Sequence, residues 1–145
     1  MAGTLVRERQ FELLVDGGAS LAVYRWAPED GRARAVVQIA HGLSEHAGRY
    51  ARTAEVLTGA GFIVYADDHR GHGRTAGRAE DLGYFADRDG FALLVADLLA
   101  LNRHVAATES GLPIVLLGHS MGAMLAQAYL VRHAETLAGA VLSGA

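Results

Sequence analysis

A serine set between two glycines, Gly118-His119-Ser120-Met121-Gly122, fits the pattern G-x-S-x-G. In that turn a strand passes sharply into a helix and lifts the serine hydroxyl above the sheet. A hydroxyl so placed suits covalent catalysis, in which one difficult displacement is split into two through an acyl intermediate. Acyl transfer also needs N–H donors aimed at the oxygen that becomes negative, each worth about 2.7 to 4 kcal/mol. Met121 opens the predicted helix, where backbone N–H groups lack an intrahelical partner, and supplies one candidate donor. Leu43, after His41-Gly42 at the end of an earlier strand, supplies the other. Gly118, His119, Gly122, His41 and Gly42 are read as support for these two turns. His119 is expected to face away from the hydroxyl.

A serine hydroxyl is a weak nucleophile until a histidine takes its proton, and a carboxylate orients that histidine. With this turn the chain order is serine, acid, histidine. Beyond Ser120 the sequence offers His133 and then Glu135, in the wrong order. His133 lies roughly 20 Å along the predicted helix at 1.5 Å per residue, too far to serve. An irregular dyad of Ser120 with His41 or His46 is the one local alternative. Asp67, Asp68, His69 and His72 have ligand-type side chains at short spacing, yet a loop held by its own hydrogen bonds is the expectation there. No metal or cofactor is expected. The chain has no cysteine, which excludes disulfides, thiolate metal sites and a cysteine nucleophile.

The 145 residues carry 13 basic and 16 acidic side chains, a net charge of -3 that gives no general attraction to nucleic acid. Hydrophobic residues at 51 % and charged ones at 20 % are a globular balance, and the length suits one domain. Met1 to Gln10 contains Arg7, Glu8 and Arg9 and no apolar core, so it does not read as a secretory leader, and a cytoplasmic location is expected. The greasiest stretch, Phe91 to Leu101, is broken by Asp97 and is shorter than the roughly 18 apolar residues of a membrane span.

The elements that must position the serine follow from the pattern of apolar residues. Gln10 to Val15 and Leu21 to Trp26 read as a hairpin closed by Asp16-Gly17-Gly18. Ala35 to Ala40 reads as a buried strand, Tyr50 to Ala60 as a helix ended by glycine, and Phe62 to Ala66 as another strand. Asp67 to Asp89 is polar and glycine-rich and reads as a long surface loop with a short helical turn. Phe91, Leu94, Val95, Leu98, Leu101 and Val105 share one helical face. Ile114 to Leu117 reads as a strand, Met121 to His133 as a helix and Ala140 to Leu142 as a last strand. His104 and Arg132 are read as solvated helix positions. A hairpin followed by alternating strands and helices is the pattern of an α/β protein with a mostly parallel sheet.

Three segments, taken together, resemble one known family. His41-Gly42-Leu43-Ser44-Glu45-His46-Ala47-Gly48-Arg49-Tyr50 looks like the H-G-x-x-E-H-x-x-R-Y segment of the monoacylglycerol lipase and lysophospholipase branch of the α/β hydrolases. Asp68 to Thr75 resembles that family's D-x-R-G-H-G-x-S loop, with Thr75 in place of serine, and Gly118 to Gly122 matches its G-H-S-M-G turn. The resemblance implies Ser120 as nucleophile, the Leu43 and Met121 amides as oxyanion donors, and hydrolysis of a single-acyl lipid or a similar small ester. It places Glu45 and His46 beside the pocket. It covers the N-terminal part of such a domain only, so the cap, the remaining strands and the acid and histidine of the triad are expected outside this sequence. The 145 residues alone are then expected to be inactive, with the strand at Ala140 to Leu142 an open sheet edge for a C-terminal half or for self-association. A small-ester esterase or serine aminopeptidase of the same fold is the alternative within the enzyme class, and a non-catalytic half-domain acting through association the alternative outside it. Serine at position 120 argues against the branches with an aspartate nucleophile.

Overall fold

A computed structural model describes residues 6–145. The first half of the Met1 to Gln10 segment, read above as no leader, therefore lies outside the described residues. The chain runs β1 (Val6–Leu14), β2 (Ser20–Pro28), β3 (Ala35–Ala40), α1 (Ala51–Gly59), β4 (Phe62–Asp67), the single turn α2 (Gly73–Ala76), α3 (Gly90–Thr108), β5 (Ile114–His119), α4 (Met121–His133) and β6 (Gly139–Ser143). The six strands form one sheet in the order β1-β2-β4-β3-β5-β6. β1, β2 and β4 pair antiparallel, and β4, β3, β5 and β6 pair parallel. This is the mostly parallel sheet with an N-terminal hairpin that the sequence predicts.

The hairpin strands run several residues beyond their expected ends, from Val6↔Pro28 to Leu14↔Ser20. Backbone pairing extends in β1 through Arg7, Glu8 and Arg9, which carry no apolar signal. At the tip, Gly17 and Gly18 both take φ near +78°, a turn that side-chain-bearing residues rarely adopt.

β3 lies between two parallel neighbours and is buried along its whole length, which is why it reads as a continuous apolar run. Its alternate residues serve two cores. Val37 and Ile39 pack with Trp26, Val64 and Ala54 on the α1 side. Val36 packs with Tyr65, Leu101 and Val105, and Ala40 with Leu94, Leu98, Leu116, Leu125 and Tyr129, on the side covered by α3 and α4. Phe91, expected on the apolar face of α3, is instead 44 % exposed in the first turn of the helix.

α3 is long and apolar enough to cross a membrane on length and composition, with a mean hydropathy of 1.3. Here Leu94, Leu98, Leu101 and Val105 are fully buried against the sheet, so its hydropathy belongs to a core helix. Asp97, the residue that interrupts the greasy run, is itself buried. Its carboxylate receives two hydrogen bonds from Arg70, Nε at 2.7 Å and Nη2 at 2.9 Å.

That pair corrects the reading of Asp67 to Asp89 as a surface loop. Asp67, Asp68, His69, Arg70 and His72 are all buried, and only the later part of the segment is exposed. The polar composition reflects internal partners rather than solvent. Asp68 accepts from the Ala47 and Arg74 backbone N–H groups at 2.7 and 2.8 Å. Thr75, where the resembling loop has serine, donates to the Asp68 carbonyl at 2.6 Å and accepts from the Ala22 N–H at 2.9 Å, so the extra methyl group leaves the hydroxyl's work intact. His104 is also less solvated than expected, its ring lying 5.0 Å from that of Phe11.

Candidate active site

β5 ends at His119 and α4 starts at Met121, leaving Ser120 alone at the junction with φ 54° and ψ -118°. Such a backbone costs a non-glycine residue of the order of 1–3 kcal/mol and persists only where its surroundings enforce it. The enforcement is visible. The Ser120 N–H donates to the Ser143 carbonyl of β6 at 2.8 Å, and the Ser120 carbonyl accepts from the Ala123 N–H at 2.8 Å. Gly118 and Gly122 let strand and helix cross closely enough to make the turn. A Cβ on Gly118 would lie 2.9 Å from Ala123 Cα and would strike the Gly122 carbonyl. One on Gly122 would strike the Ala40 carbonyl and lie 2.8 Å from the His41 oxygen. Met121 is buried, and its N–H, first in α4, has no carbonyl one turn back to receive it.

The end of β3 stands beside this turn, because Ala40 is in register with Gly118. His41 and Gly42 follow at once. A Cβ on Gly42 would lie 3.2 Å from Ser120 Cβ and 3.3 Å from the His119 carbonyl oxygen, so the backbone here comes up close against the serine and a larger residue would have to push its neighbours aside by a few tenths of an ångström. Leu43 is 58 % exposed, and Ser44 has a positive φ of 60°. Glu45 points back toward the turn. Its Oε1 accepts from the Tyr50 hydroxyl at 3.5 Å and lies 3.8 Å from His119 Nε2. His46 is exposed, its ring against Gly48. A groove of about 470 Å³ opens here, lined by Leu43, Ser44, Glu45, His46, His72 and Leu82. It flanks Ser120 without containing it.

Beneath the loop lies a buried histidine stack that motif spacing alone does not reveal. The rings of His41 and His69 lie 3.9 Å apart, and His69 Nδ1 donates to Asp67 Oδ2 at 2.8 Å. Burial works against a charged His69, but the Asp67 carboxylate beside it and their hydrogen bond outweigh burial and raise its pKa. Burial likewise works against a charged Asp67, and His69 outweighs it and holds that carboxyl below its usual range. His41 goes the other way. Burial first, and then the charge on His69, pull it from 6.5 down to about 3. One sequence signal could have exposed this cluster: Asp97 sits on the apolar face of a helix, so it demands a buried cation, and Arg70 in the Asp67 to His72 segment is that cation.

The depressed His41 sets a pH dependence of stability. The folded chain refuses a proton that the unfolded chain takes up near 6.5, so this stability is present above 6.5 and is lost as pH falls toward 3. Asp67, lowered, contributes fully above its ordinary 3.8, while His69, raised, still gains stability as pH falls through its ordinary 6.5 and levels off about one unit below it. Toward pH 5 the remaining slope is His41's and approaches about 1.4 kcal/mol per pH unit. Urea unfolding is expected to give about 1 kcal/mol less stability at pH 5 than at pH 7, the His41 loss being partly offset by His69. Equal midpoints at the two pH values would contradict a neutral buried His41.

Among the described residues no histidine is hydrogen-bonded to the Ser120 hydroxyl. His41 has both ring nitrogens engaged, Nδ1 with the Gly42 carbonyl at 2.7 Å and Nε2 with the His69 N–H at 3.0 Å, which removes it as a dyad partner. His119 turns its Nδ1 to the Ser143 hydroxyl at 3.2 Å. His133 lies at the far end of α4 with its ring 5.3 Å from that of Tyr129. The structure thus brings together Ser120, Met121, Gly42 and Leu43 with Glu45 alongside. It presents an exposed serine at a strained turn with the Gly42 backbone close against it.

Residues 31–145 match the family described as serine aminopeptidase, S33. The chain is 42 % identical over 131 residues to a monoacylglycerol lipase of Mycolicibacterium smegmatis, an alignment covering 88 % of this chain and 43 % of that protein. It is 36 % identical over 120 residues to the human monoglyceride lipase, covering 81 % of this chain and 36 % of that protein. Among solved structures, a thermostable carboxyl esterase from Bacillus coagulans superposes with a TM-score of 0.86 at 32 % identity, over 93 % of this chain and 43 % of that one. The chain spans less than half the length of these relatives. The family match over most of the sequence, and the close superposition on an esterase and a lipase, establish that the chain belongs to the serine aminopeptidase S33 family of α/β hydrolases.

Proposed function

We propose that this chain is the N-terminal, nucleophile-bearing part of a single-domain serine hydrolase that cleaves carboxylic esters of single-acyl lipids, of monoacylglycerol or lysophospholipid type. The observation that carries the reading is Ser120 at φ 54°, with the Gly42 backbone close against it. Strain of that kind at an exposed serine has a use when the hydroxyl must stand clear of the sheet. In the reaction Ser120 Oγ adds to the ester carbonyl while its proton passes to a general base. The Leu43 and Met121 amides receive the negative oxygen, the alcohol leaves, and water then releases the acid from the acyl-serine. The base and its orienting acid belong, on this reading, to residues outside the 145. The similarity to lipases named for monoacylglycerol favours a single-acyl substrate. The similarity to a carboxyl esterase supports a second reading, a shorter ester on the same machinery.

The test is covalent. A fluorophosphonate reacts with an activated serine and not with an ordinary one, so the protein from its native source is expected to be labelled at Ser120, in a species heavier than 15.3 kDa. An unlabelled species of 15.3 kDa would overturn the hydrolase reading and leave association through the β6 edge as the better account.

A further inference from the structure

The loop against Ser120 is held from behind by side chains that the catalytic scheme leaves without a role. His41 is fully buried between that loop and His69. A backbone N–H can only donate, so the His69 N–H at 3.0 Å requires His41 Nε2 to be bare. The proton of the neutral ring is therefore on Nδ1, which donates it to the Gly42 carbonyl at 2.7 Å. His69 makes a matching contact one peptide earlier. Its Nε2 donates to the His41 carbonyl at 3.2 Å while its Nδ1 donates to Asp67, and since both partners only accept, His69 carries both protons. Two imidazoles thus grip two successive carbonyls, those of His41 and Gly42.

The Gly42 carbonyl and the Leu43 N–H belong to one peptide unit, and the described residues contain no cis peptide bond. In a trans unit the C=O and N–H point in opposite directions. Drawing the carbonyl inward to the His41 ring therefore turns the Leu43 N–H outward, toward the exposed end of the sheet where Ser120 stands. The same bond polarises the peptide and strengthens its N–H as a donor. Some such anchor is needed, because glycine places little restraint of its own on the rotation of that unit.

We propose that His41 is a positioning residue whose Nδ1–H, held in that tautomer by the His69 backbone, fixes the Gly42–Leu43 peptide with its N–H presented to the oxygen of a substrate on Ser120. The proposal rests on the hydrolase reading of Ser120, and its test separates the two. In the 145-residue chain, ¹⁵N spectra of labelled histidine are expected to show His41 protonated on Nδ1 alone and His69 on both nitrogens. Two variants then discriminate orientation from mere packing. In His41→Asn the side-chain amide nitrogen takes the place of Nδ1 and keeps a donor for the Gly42 carbonyl. His41→Gln fills the space better but puts its donor where Nε2 was. The Leu43 amide resonance is expected to stay in place in His41→Asn and to move in His41→Gln. In the ester-cleaving protein of the native source, His41→Gln is expected to lower kcat by about 10²–10³ with KM unchanged, the loss of one oxyanion donor, and His41→Asn to recover most of it. A His41 protonated on Nε2, or a Gln variant as active as the Asn variant, overturns the positioning role. The expected tautomers together with a Ser120 that never takes up phosphonate overturn the hydrolase reading instead.

Discussion

Replacing Ser120 with alanine is expected to lower ester turnover by about 10⁶-fold, the loss seen when the nucleophile of a serine triad is removed, while leaving the fold in place. On the proposed mechanism, what survives comes from the amides of Leu43 and Met121, which would still polarise a bound carbonyl but have no acyl acceptor beside them. The variant separates chemistry from architecture because alanine keeps the Cβ, and with it the strained φ of 54°. Ser120→Gly makes the complementary point. It removes the hydroxyl and the strain together, so it is expected to be equally inactive yet more stable than the parent by about 1 kcal/mol. Turnover of a chromogenic monoester by the native-source protein and urea midpoints for the three forms are the measurements. A Ser120→Ala protein retaining a hundredth of the parental rate would move the nucleophile elsewhere.

Gly122→Val is expected to destroy the fold, at a cost of order 5 kcal/mol, which is comparable with the whole stability of a domain this size. The cost is not one of propensity, since valine is a better helix residue than glycine. It arises because the first atom of any side chain at 122 meets the Ala40 carbonyl, and the next contact is the His41 oxygen at 2.8 Å. Both are backbone atoms, one at the end of β3 and one just beyond it, so no rotamer change relieves the overlap, and α4 must lift away from the sheet. Gly18→Ala, in the hairpin turn, has open space around its Cβ and serves as the control for a glycine that is special only in φ. Loss of the cooperative urea transition in the first variant and its retention in the second is the expected pattern. A folded Gly122→Val chain would mean that helix and strand cross farther apart than described.

The central strands, α1, α3, α4 and the turn at Ser120 are legible in the sequence because each depends on local rules. Ala35 to Ala40 is apolar without alternation, as a strand buried on both faces must be. Met121 to His133 begins where the turn motif requires it to begin. The buried polar cluster is not legible in that way. Asp67, His69 and Arg70 look like loop residues, and their partners His41 and Asp97 lie 28 and 27 residues away, beyond the reach of any periodicity. The same holds for the support of Ser120 itself, which includes a hydrogen bond from its N–H to Ser143 on the next strand. Patterns of side-chain type report which elements form. They do not report which element ends meet.

The strand order carries a consequence for how the protein reaches this state. β3 takes β4 on one side and β5 on the other, and β5 arrives only after the whole of α3 has been threaded across the sheet. Contacts that knit this arrangement are distant in sequence: Gln38 reaches the Leu98 carbonyl 60 residues on, and Arg25 reaches Glu109 84 residues on. Closing loops of that length must precede the contacts that reward it, which slows folding relative to a protein of local hairpins and helix pairs. The β1–β2 hairpin and α3 can form early because their contacts are local. The meeting of Gly42 with Ser120 needs β3, β5 and α4 all in place, so the groove's working edge is among the last parts of the molecule to be assembled, and a kinetically trapped chain can be well ordered at its hairpin end while still lacking a site.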